Sequence, residues 1–260
     1  MEKNKSLYPV KLLESSLFYN TKPVSLKSYL KRPDKVGIIA EIKRKSPSTG
    51  VLNNYVSIER TSVGYMQAGA SALSILTDQV YFGGKNEDLS LARKCNYCPI
   101  LRKDFMIDEY QIIESKSIGA DAVLLIAAAL EPPQLQKLAK LARSLGMEVL
   151  LEVTTKEEID NNTSDLIDVV GVNNRNLGDF SLNLQLSFDL ASHIPSEFAK
   201  ISESALGKAK DIIELKKHGF DGFLIGKNFM KHSRPEKACA DLVEEIQKLS
   251  RQTANAELLK

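Results

Sequence analysis

The sequence predicts an α/β fold, a single (β/α)8 TIM barrel with an N-terminal helical extension. From about residue 35 onward, eight short apolar runs alternate with eight amphipathic helical patterns, the count of a barrel whose parallel strands are each followed by a helix. An open doubly wound sheet is the competing arrangement. It is disfavoured because the turn after the first run reads KRKSPSTG, and neither G-x-G-x-x-G nor G-x-x-x-x-G-K-[ST] occurs in the chain.

The eight apolar runs are the predicted barrel strands. They are short and rich in β-branched and aliphatic side chains, which is typical of strands buried on both faces of a parallel sheet. In chain order they are residues 36–42, 72–78, 99–105, 121–127, 147–153, 167–173, 197–202 and 221–226.

The helical patterns between the runs carry their own end signals. Several close with a glycine, which suits a C′ position of positive φ, and prolines stand at two helix starts, where a missing N–H costs nothing. The glycines are Gly69, Gly119, Gly146 and Gly219, and the prolines are Pro132, Pro133 and Pro235. The patterns cover residues 57–70, 86–95, 108–120, 132–146, 155–162, 182–194, 205–219 and 234–250.

The N-terminal segment, residues 1–34, precedes the first strand and contains two stretches with a helical pattern, 7–20 and 25–32. We interpret it as an extension that packs over one end of the barrel of residues 35–260. No low-complexity linker separates the two, so one domain overall is predicted.

Composition disfavours several classes of partner. The 35 basic and 33 acidic residues leave a formal net charge of +2, which lacks the electrostatic footprint of a nucleic-acid-binding protein. The longest apolar run, residues 122–130, is far shorter than the roughly 20 residues of a membrane-spanning helix. The N-terminus is polar, unlike a signal peptide, and three cysteines make a disulfide framework improbable. We expect a cytoplasmic monomer that acts on a small molecule.

Polar side chains are concentrated where the predicted strands end, which is the end of a parallel barrel that carries the chemistry. Side chains two residues apart on a strand point to the same side, so Glu41 and Lys43 would share one face. Any one of these groups alone would be a solvated loop residue by default, but five strand ends carry them. They are Glu41 and Lys43, Lys103 and Phe105, Glu152, Asn173 and Arg175, and Glu203 and Ser204.

The loops after the seventh and eighth strands, SESALG (202–207) and IGKNFM (225–230), indicate an anionic substrate. Barrel enzymes often bind phosphate with these two loops. Gly226 permits close approach of the backbone, while Ser204 and Lys227 offer hydrogen-bond donors. The sequence therefore predicts a phosphate site here.

Metal and redox chemistry have weaker support. Cys95 and Cys98 form a C-x-x-C, but no second pair or nearby histidine completes a zinc site, so we interpret them as structural. His193, His218 and His232 fall in or beside helices without ligand spacing. We expect no metal ligands.

Eight stretches of the sequence resemble the indole-3-glycerol phosphate synthase family. They follow the family order, and the E-x-K-x-x-S, K-D-F and N-x-R segments are together highly specific. The stretches are IIAEIKRKSPSTG (38–50), AGASALSILTDQVYFGG (68–84), PILRKDFMIDEYQI (99–112), GADAVLLIAAAL (119–130), LLEVT (150–154), VGVNNRNL (170–177), SES (202–204) and LIGKNFM (224–230).

The resemblance implies a lyase of tryptophan biosynthesis. Its substrate would be 1-(2-carboxyphenylamino)-1-deoxyribulose 5-phosphate, and its product indole-3-glycerol phosphate, formed by ring closure with loss of carbon dioxide and water. The protonated ring intermediate is itself the electron sink for decarboxylation. No metal or organic cofactor is therefore expected.

The resemblance also implies catalytic roles. Lys103 is similar to the lysine proposed as general acid, and Glu152 resembles the glutamate that acts as general base in the dehydration. Lys43 would hold a substrate anion, and Glu41 would orient it or share in proton transfer. Asn173 matches a residue that positions the reacting groups.

Further matched positions would bind the substrate. Arg175 would position the substrate and its carboxylate, Phe105 would pack on the aromatic ring, and Ser46 lies on the matched first loop. Glu203 is expected to contact the substrate as well. The phosphate would be bound by Lys43, Ser204, Ala205, Gly226 and Lys227.

Three departures from the family pattern are apparent. Ala205 stands where the family usually has glycine, and alanine adopts positive φ at greater cost, so we expect an altered loop geometry. Lys227 replaces a small hydroxyl or acidic residue. The first 35 residues show little of the family pattern.

Two alternatives stay open. One is another phosphosugar barrel, similar to phosphoribosylanthranilate isomerase or the tryptophan synthase α subunit, although neither carries the E-x-K-x-x-S and K-D-F pair. The other is a catalytically silent, phosphate-binding barrel. Loss of Glu41, Lys103 or Glu152 would be its signature, and all three are present.

Overall fold

Eight parallel strands close into a barrel in the computed structural model, which describes residues 2–176 and 178–258. Leu177, the last residue of the matched stretch 170–177, lies outside the described residues, as do residues 1, 259 and 260 of the predicted extension and barrel. The predicted (β/α)8 barrel is confirmed, and each predicted apolar run overlaps one barrel strand, although the strand in the run 197–202 extends to Glu203. The strands are β1 (Ile38–Ile42), β2 (Lys45–Ser46), β3 (Gly50–Val51), β4 (Ala72–Leu76), β5 (Ile100–Lys103), β6 (Ala122–Ile126), β7 (Glu148–Val153), β8 (Val169–Asn173), β9 (Ala199–Glu203) and β10 (Gly222–Ile225).

Strands β2 and β3 form a separate antiparallel hairpin in the loop after β1, and the other eight strands make the barrel. Each barrel strand pairs in parallel with its chain neighbours, and β10 closes the ring against β1. Sequence patterns do not predict the hairpin, because two residues per strand are too few to show a period.

Helices surround the barrel. Each predicted helical pattern overlaps a helix of the structure, but within the predicted stretch 7–20 only Leu7 and Val10–Glu14 are helical. The short helices Gln79–Phe82 and Lys227–Met230 are additional. The helices are α1 (Glu2–Leu7), α2 (Val10–Glu14), α3 (Leu26–Leu30), α4 (Ile58–Gln67), α5 (Gln79–Phe82), α6 (Asn86–Cys95), α7 (Glu109–Ile118), α8 (Pro132–Ser144), α9 (Lys156–Asn162), α10 (Gln185–Leu190), α11 (Ala209–Lys217), α12 (Lys227–Met230) and α13 (Pro235–Leu258), with 3-10 turns at Ala127–Ala129 and Ala191–His193.

Helix ends follow local chemistry. The Asp108 side chain accepts a hydrogen bond at the start of α7 while Gln111 reaches back to the Asp108 backbone, which satisfies two amide groups at once. Gly119 ends the same helix with φ +95°, in the left-handed region that glycine reaches without strain. The other three predicted closing glycines also have positive φ, and α8 and α13 begin at the predicted prolines.

The period of two along each strand places the chemistry at one end of the barrel. Ile39 and Leu101 belong to the apolar cluster that fills the barrel interior. Two residues further on, Glu41 and Lys103 face the same way and reach the C-terminal mouth. The same step links Leu150 to Glu152 and Ile201 to Glu203.

The N-terminal helices contact the barrel and its outer helices. Leu26 and Leu30 of α3 join the interior cluster, and Glu148 at the start of β7 accepts hydrogen bonds from Ser25 Oγ and Lys27 N. On the outer side, α2 packs on α7. These contacts fit an extension packed on the barrel, and the boundaries 1–34 and 35–260 within one domain stay a prediction. Within the described chain, no helix is both long and apolar enough to span a membrane.

Candidate active site

Lys103 occupies the centre of the barrel mouth, between two carboxylates. Its Nζ lies 2.6 Å from Glu203 Oε2 and 3.0 Å from Glu152 Oε2. Both carboxylates are about 2–3 % exposed, whereas the Lys103 side chain keeps 15 % of its surface accessible. The arrangement places one cation against two buried anions, with an open side toward the mouth.

Asn173 fixes the second oxygen of Glu152. Its Nδ2 donates to Glu152 Oε1 at 2.9 Å, and its Oδ1 accepts from the backbone N–H of Arg175 at 3.1 Å. Because both oxygens of Glu152 are hydrogen-bonded, its charged form is stabilised and its orientation is set. Asn173 therefore orients the Glu152 carboxylate and also lies at the barrel mouth itself.

The two carboxylates have different electrostatic environments. Burial raises the pKa of Glu203 to about 7, because Lys103 offsets the effect only in part and Glu152 adds to it. Burial also opposes the charge of Glu152, but Lys103 and Asn173 outweigh it and hold the pKa of Glu152 below its ordinary value. Near neutral pH, Glu152 is ionised and Glu203 is partly protonated.

Lys103 itself keeps its proton. Burial alone would lower the pKa of the Lys103 ammonium, but Glu152, Glu203 and Glu41 raise it above its ordinary value. The second oxygen of Glu203 explains part of the difference between the raised pKa of Glu203 and the lowered pKa of Glu152. Within the described residues, Glu203 Oε1 is buried without a hydrogen bond, which favours the neutral carboxyl.

Glu41 near the end of β1 and Lys43 just after it form a pair, as their spacing predicts. Lys43 Nζ lies 2.5 Å from Glu41 Oε1, and the lysine side chain is 18 % exposed whereas the glutamate is buried. Gly226 follows β10, the strand that pairs with β1. Its lack of a side chain makes room for the Glu41 carboxylate, since a Cβ at position 226 would lie 2.2 Å from Glu41 Oε1. Gly171 makes room for Glu203 in the same way, since a Cβ at position 171 would lie 2.6 Å from Glu203 Oε1.

An aromatic group borders the mouth after β4 and β5. The Phe105 ring is 40 % exposed, and its centroid lies 5.8 Å from that of Tyr81 and 6.1 Å from that of Phe82. The loop places an apolar ring surface beside the Lys103 cluster. Sequence reasoning identified Phe105 but gave no role to Tyr81 and Phe82.

The loops after β9 and β10 face each other. Ser204 and Ala205 both have left-handed backbones, with φ of +65° and +56°. Alanine at 205 therefore retains the positive φ that glycine favours. Gly226 precedes α12, and Lys227 is its first residue and is exposed.

The remaining predicted residues lie on the loops. Ser46 is in the β2–β3 hairpin, with its Oγ 3.5 Å from Ser48 Oγ. The Arg175 guanidinium donates to the Phe180 carbonyl at 3.0 Å and is not in contact with the Lys103 cluster in this structure. The structure thus brings together Lys103, Glu152, Glu203 and Asn173, with the Glu41–Lys43 pair alongside.

The predicted weaker candidates stay outside this cluster. Cys95 and Cys98 are free thiols, and burial raises the pKa of Cys98 to about 12. In the described part of the chain, no group of three or more His, Cys, Asp and Glu side chains could hold a metal ion.

The fold and this site define the class of protein: a (β/α)8 barrel with a cluster of lysine and glutamate side chains at its C-terminal mouth, an arrangement suited to acid–base chemistry. Comparison with known proteins narrows the class. The family model "Indole-3-glycerol phosphate synthase" matches residues 1–242. The chain belongs to the indole-3-glycerol phosphate synthase family.

Two relatives illustrate the similarity. The chain is 47 % identical over 223 residues to an indole-3-glycerol phosphate synthase of Bacteroides thetaiotaomicron, which covers 86 % of this chain and 85 % of the relative. It is 39 % identical to that of Campylobacter fetus, over 93 % and 94 % of the two chains. Since the family match begins at residue 1, the expectation that the first 35 residues lack the family pattern is wrong.

Solved structures share the fold at low identity. The tryptophan synthase α subunit of Pyrococcus furiosus matches with a TM-score of 0.62 at 13 % identity, over 83 % of this chain and 99 % of that one. Thiamine phosphate pyrophosphorylase of the same organism matches with a TM-score of 0.62 at 13 % identity, over 86 % and 98 %. These similarities show the barrel and carry no functional argument.

Proposed function

We propose that this chain converts 1-(2-carboxyphenylamino)-1-deoxyribulose 5-phosphate to indole-3-glycerol phosphate, as a carboxy-lyase of tryptophan biosynthesis. Family membership supports the reaction. The observation that carries the chemistry is the Lys103 ammonium, held between the carboxylates of Glu203 and Glu152 at 2.6 and 3.0 Å. The Lys103 ammonium can donate a proton to the substrate at the mouth and then be reprotonated by a neighbouring carboxyl group.

The substrate phosphate would bind at the loops after β9 and β10. Ser204, Ala205 and Gly226 would approach it with backbone and hydroxyl groups, and Lys227 would add a cation from the first residue of α12. Lys43 is a second cation close to the mouth, and its side chain is 18 % exposed. The phosphate would anchor the flexible sugar chain and so hold the ketone near Lys103.

The aromatic half of the substrate would lie against Phe105. Its ring is accessible and already flanked by Tyr81, so an anthranilate ring could pack on it edge-to-face or offset. Arg175 would turn from the Phe180 carbonyl toward the substrate carboxylate, a charge-assisted and bidentate interaction. Ser46 would contribute a hydroxyl from the hairpin.

Ring closure is the first chemical step. The ring carbon that bears the carboxylate attacks the ketone carbon, the carbonyl electron pair moves to oxygen, and Lys103 donates a proton to that oxygen. A positioned acid of this kind accelerates such a step by about 10²- to 10⁴-fold. The C–C bond to the carboxylate then breaks, its electrons restore the aromatic ring, and carbon dioxide leaves.

Dehydration completes the indole. The hydroxyl formed in the first step takes a proton from the reprotonated Lys103 and leaves as water, while a base removes a proton from the adjacent carbon to form the double bond. Glu152 is suited to act as this base, because Lys103 and Asn173 keep it ionised and oriented. Glu203, partly protonated near neutral pH, would return a proton to Lys103, and Glu41 would orient Lys43 or share in the transfer.

A substrate panel tests the proposal. The purified protein would be incubated with the carboxyphenylamino-deoxyribulose phosphate, with phosphoribosylanthranilate and with indole-3-glycerol phosphate, and the products separated and identified by mass. We expect indole-3-glycerol phosphate from the first substrate alone. Isomerisation of the second would favour the isomerase-like alternative, and no turnover of any would favour the silent barrel.

We also infer that the protein is a cytoplasmic monomer, with a small-molecule substrate and no nucleic-acid partner. The free cysteines and the near-neutral charge support this inference. Light scattering of the purified chain at several concentrations tests the monomer, since a mass near twice 28.8 kDa would contradict it.

A further inference from the structure

Asn174 is buried next to the catalytic Asn173 and has no role in the chemistry described above. It is 1 % exposed. Its Nδ2 donates to Ser202 Oγ and to the Glu203 carbonyl, both at 2.9 Å, and to the Ser204 carbonyl at 3.3 Å. All three acceptors belong to the end of β9 and the loop that follows it.

The orientation of Asn174 is fixed from its other side. Its Oδ1 accepts from the backbone N–H and the hydroxyl of Ser187 at 3.2 and 2.8 Å. The Ser187 hydroxyl also lies 2.8 Å from Ser202 Oγ. The cluster joins β8, β9 and α10 on the outer face of the sheet, opposite to the side on which Glu203 meets Lys103.

The loop held by this cluster is unusual in its backbone. Among the described residues, non-glycine positions with positive φ are Phe180, Ser204 and Ala205, and the last two are consecutive. L-amino acids resist this region because Cβ meets the following carbonyl oxygen. Two adjacent residues of this kind therefore need an external contact to stay in place.

The same contact sets the direction of the peptide groups. In a trans peptide the C=O and N–H point in opposite directions. Since the Ser204 carbonyl points to Asn174, the Ala205 N–H points away from it. The Glu203 carbonyl accepts the Asn174 backbone N–H on the β8 side, so the Ser204 N–H points to the β10 side. Among the described residues, the Ala205 N–H has no hydrogen-bond partner.

We propose that Asn174 is a positioning residue, whose amide holds the Ser204–Ala205 turn in the shape that presents the Ala205 backbone N–H to the substrate phosphate. Ala205 makes this chain dependent on the contact, because glycine would hold the same φ without strain. The inference rests on the proposed role of the turn as a phosphate loop.

The test compares Asn174→Ala and Asn174→Asp with Asn161→Ala, a matched change at an exposed asparagine of α9. Turnover is measured with the proposed substrate, and binding of inorganic phosphate is measured by calorimetry. We expect KM and the dissociation constant of phosphate to rise together, by tenfold or more, with a smaller change in kcat. Unchanged phosphate affinity in a folded Asn174 variant would overturn the proposal.

A second substitution separates positioning from simple packing. Ala205→Gly relieves the backbone strain, so Asn174→Ala combined with Ala205→Gly is expected to recover most of the phosphate affinity of Ala205→Gly alone. A loss of affinity that glycine does not restore would show that Asn174 only fills space. If Asn174→Ala fails to fold, the double variant is expected to fold, and its failure would also contradict the proposal.

Failure of the proposed function and failure of the positioning role of Asn174 give different results. Absence of turnover in the unaltered protein would refute the proposed function, while the phosphate-binding comparison would still decide the role of Asn174. Normal turnover with unaltered KM in the Asn174 variants would refute the positioning role alone.

Discussion

Lys103 Nζ lies 2.6 Å from Glu203 Oε2, although 100 residues separate the two along the chain. The pair joins β5 to β9 across the barrel mouth. It explains why Lys103 keeps its proton and why Glu203, which is buried, still approaches ionisation near neutral pH.

Replacing Lys103 removes the proposed acid. Lys103→Ala is expected to lower kcat by about 10²- to 10⁴-fold, because the developing alkoxide loses its proton donor. Lys140→Ala, an exposed lysine of α8, is the control, and circular dichroism checks that both variants are folded. Near-normal turnover of folded Lys103→Ala would remove this residue from the mechanism.

Replacing Glu152 should stall the last step. Glu152→Gln keeps the shape and the contact with Asn173 but loses the base, so we expect carbon dioxide to be released faster than indole forms in a single turnover. Glu244→Gln, on the exposed side of α13, is the control. Simultaneous release and indole formation at an unaltered rate would contradict the assignment.

The raised pKa of Glu203 predicts a pH-dependent stability. Its folded-state pKa of about 7 exceeds that of an ordinary glutamate near 4.5, so the native protein binds more protons between these values and loses stability as pH rises through them. The slope is at most about 1.4 kcal/mol per pH unit for one group. The free energy of unfolding of Glu203→Gln, relative to the unaltered protein, should therefore rise between pH 5 and pH 7.

Urea unfolding of both proteins at several pH values measures this difference. Above pH 7 it should level off, because Glu203 is then ionised in both states. A difference that is constant with pH would show that Glu203 titrates at its ordinary value in the native protein.

The Glu41 carboxylate occupies the space that a side chain at position 226 would need. Gly226→Ala would place a methyl 2.2 Å from Glu41 Oε1, in a wall where that carboxylate is 2 % exposed, so Glu41 must move from Lys43. We expect kcat to fall tenfold or more, by a loss of positioning. Equal kcat and KM in the variant and the unaltered protein would show that the site tolerates the displacement.

Lys227 should contribute to binding more than to chemistry. Because the phosphate is remote from the reacting carbons, Lys227→Ala is expected to raise KM several-fold with little change in kcat. Lys231→Ala, which lies at the other end of the same short helix and is also exposed, is the control. Equal effects of the two substitutions on KM would indicate only a general electrostatic contribution.

Much of the fold follows from the sequence because each barrel strand is buried on both faces and so reads as an apolar run. The β2–β3 hairpin and helices α5 and α12 do not, since two to four residues show no periodicity. Arg102 is another surprise: it interrupts an apolar strand, yet it is 2 % exposed and pairs with Glu114 at 2.7 Å. A buried ion pair of this kind leaves no pattern in either segment.

The site is predictable to a similar extent. Glu41, Lys103 and Glu152 follow from the rule that polar groups at strand ends meet at the mouth, and the structure brings them to one place. Asn174 could not be predicted, because an asparagine in the polar run NNRN is indistinguishable from a solvated turn residue. Glu203 could be placed near the substrate, but its contact with Lys103 depends on the register of β5 and β9 around the closed barrel.

The central claim is tested most directly by a single turnover. The purified protein, in excess over the carboxyphenylamino-deoxyribulose phosphate and without added metal or cofactor, would be followed by indole fluorescence and by carbon dioxide release. We expect one equivalent of each product. Release of neither by the folded protein would contradict the account, and Ala205 and Lys227, in the loops after β9 and β10, would then be the first positions to replace with the residues usual in the family.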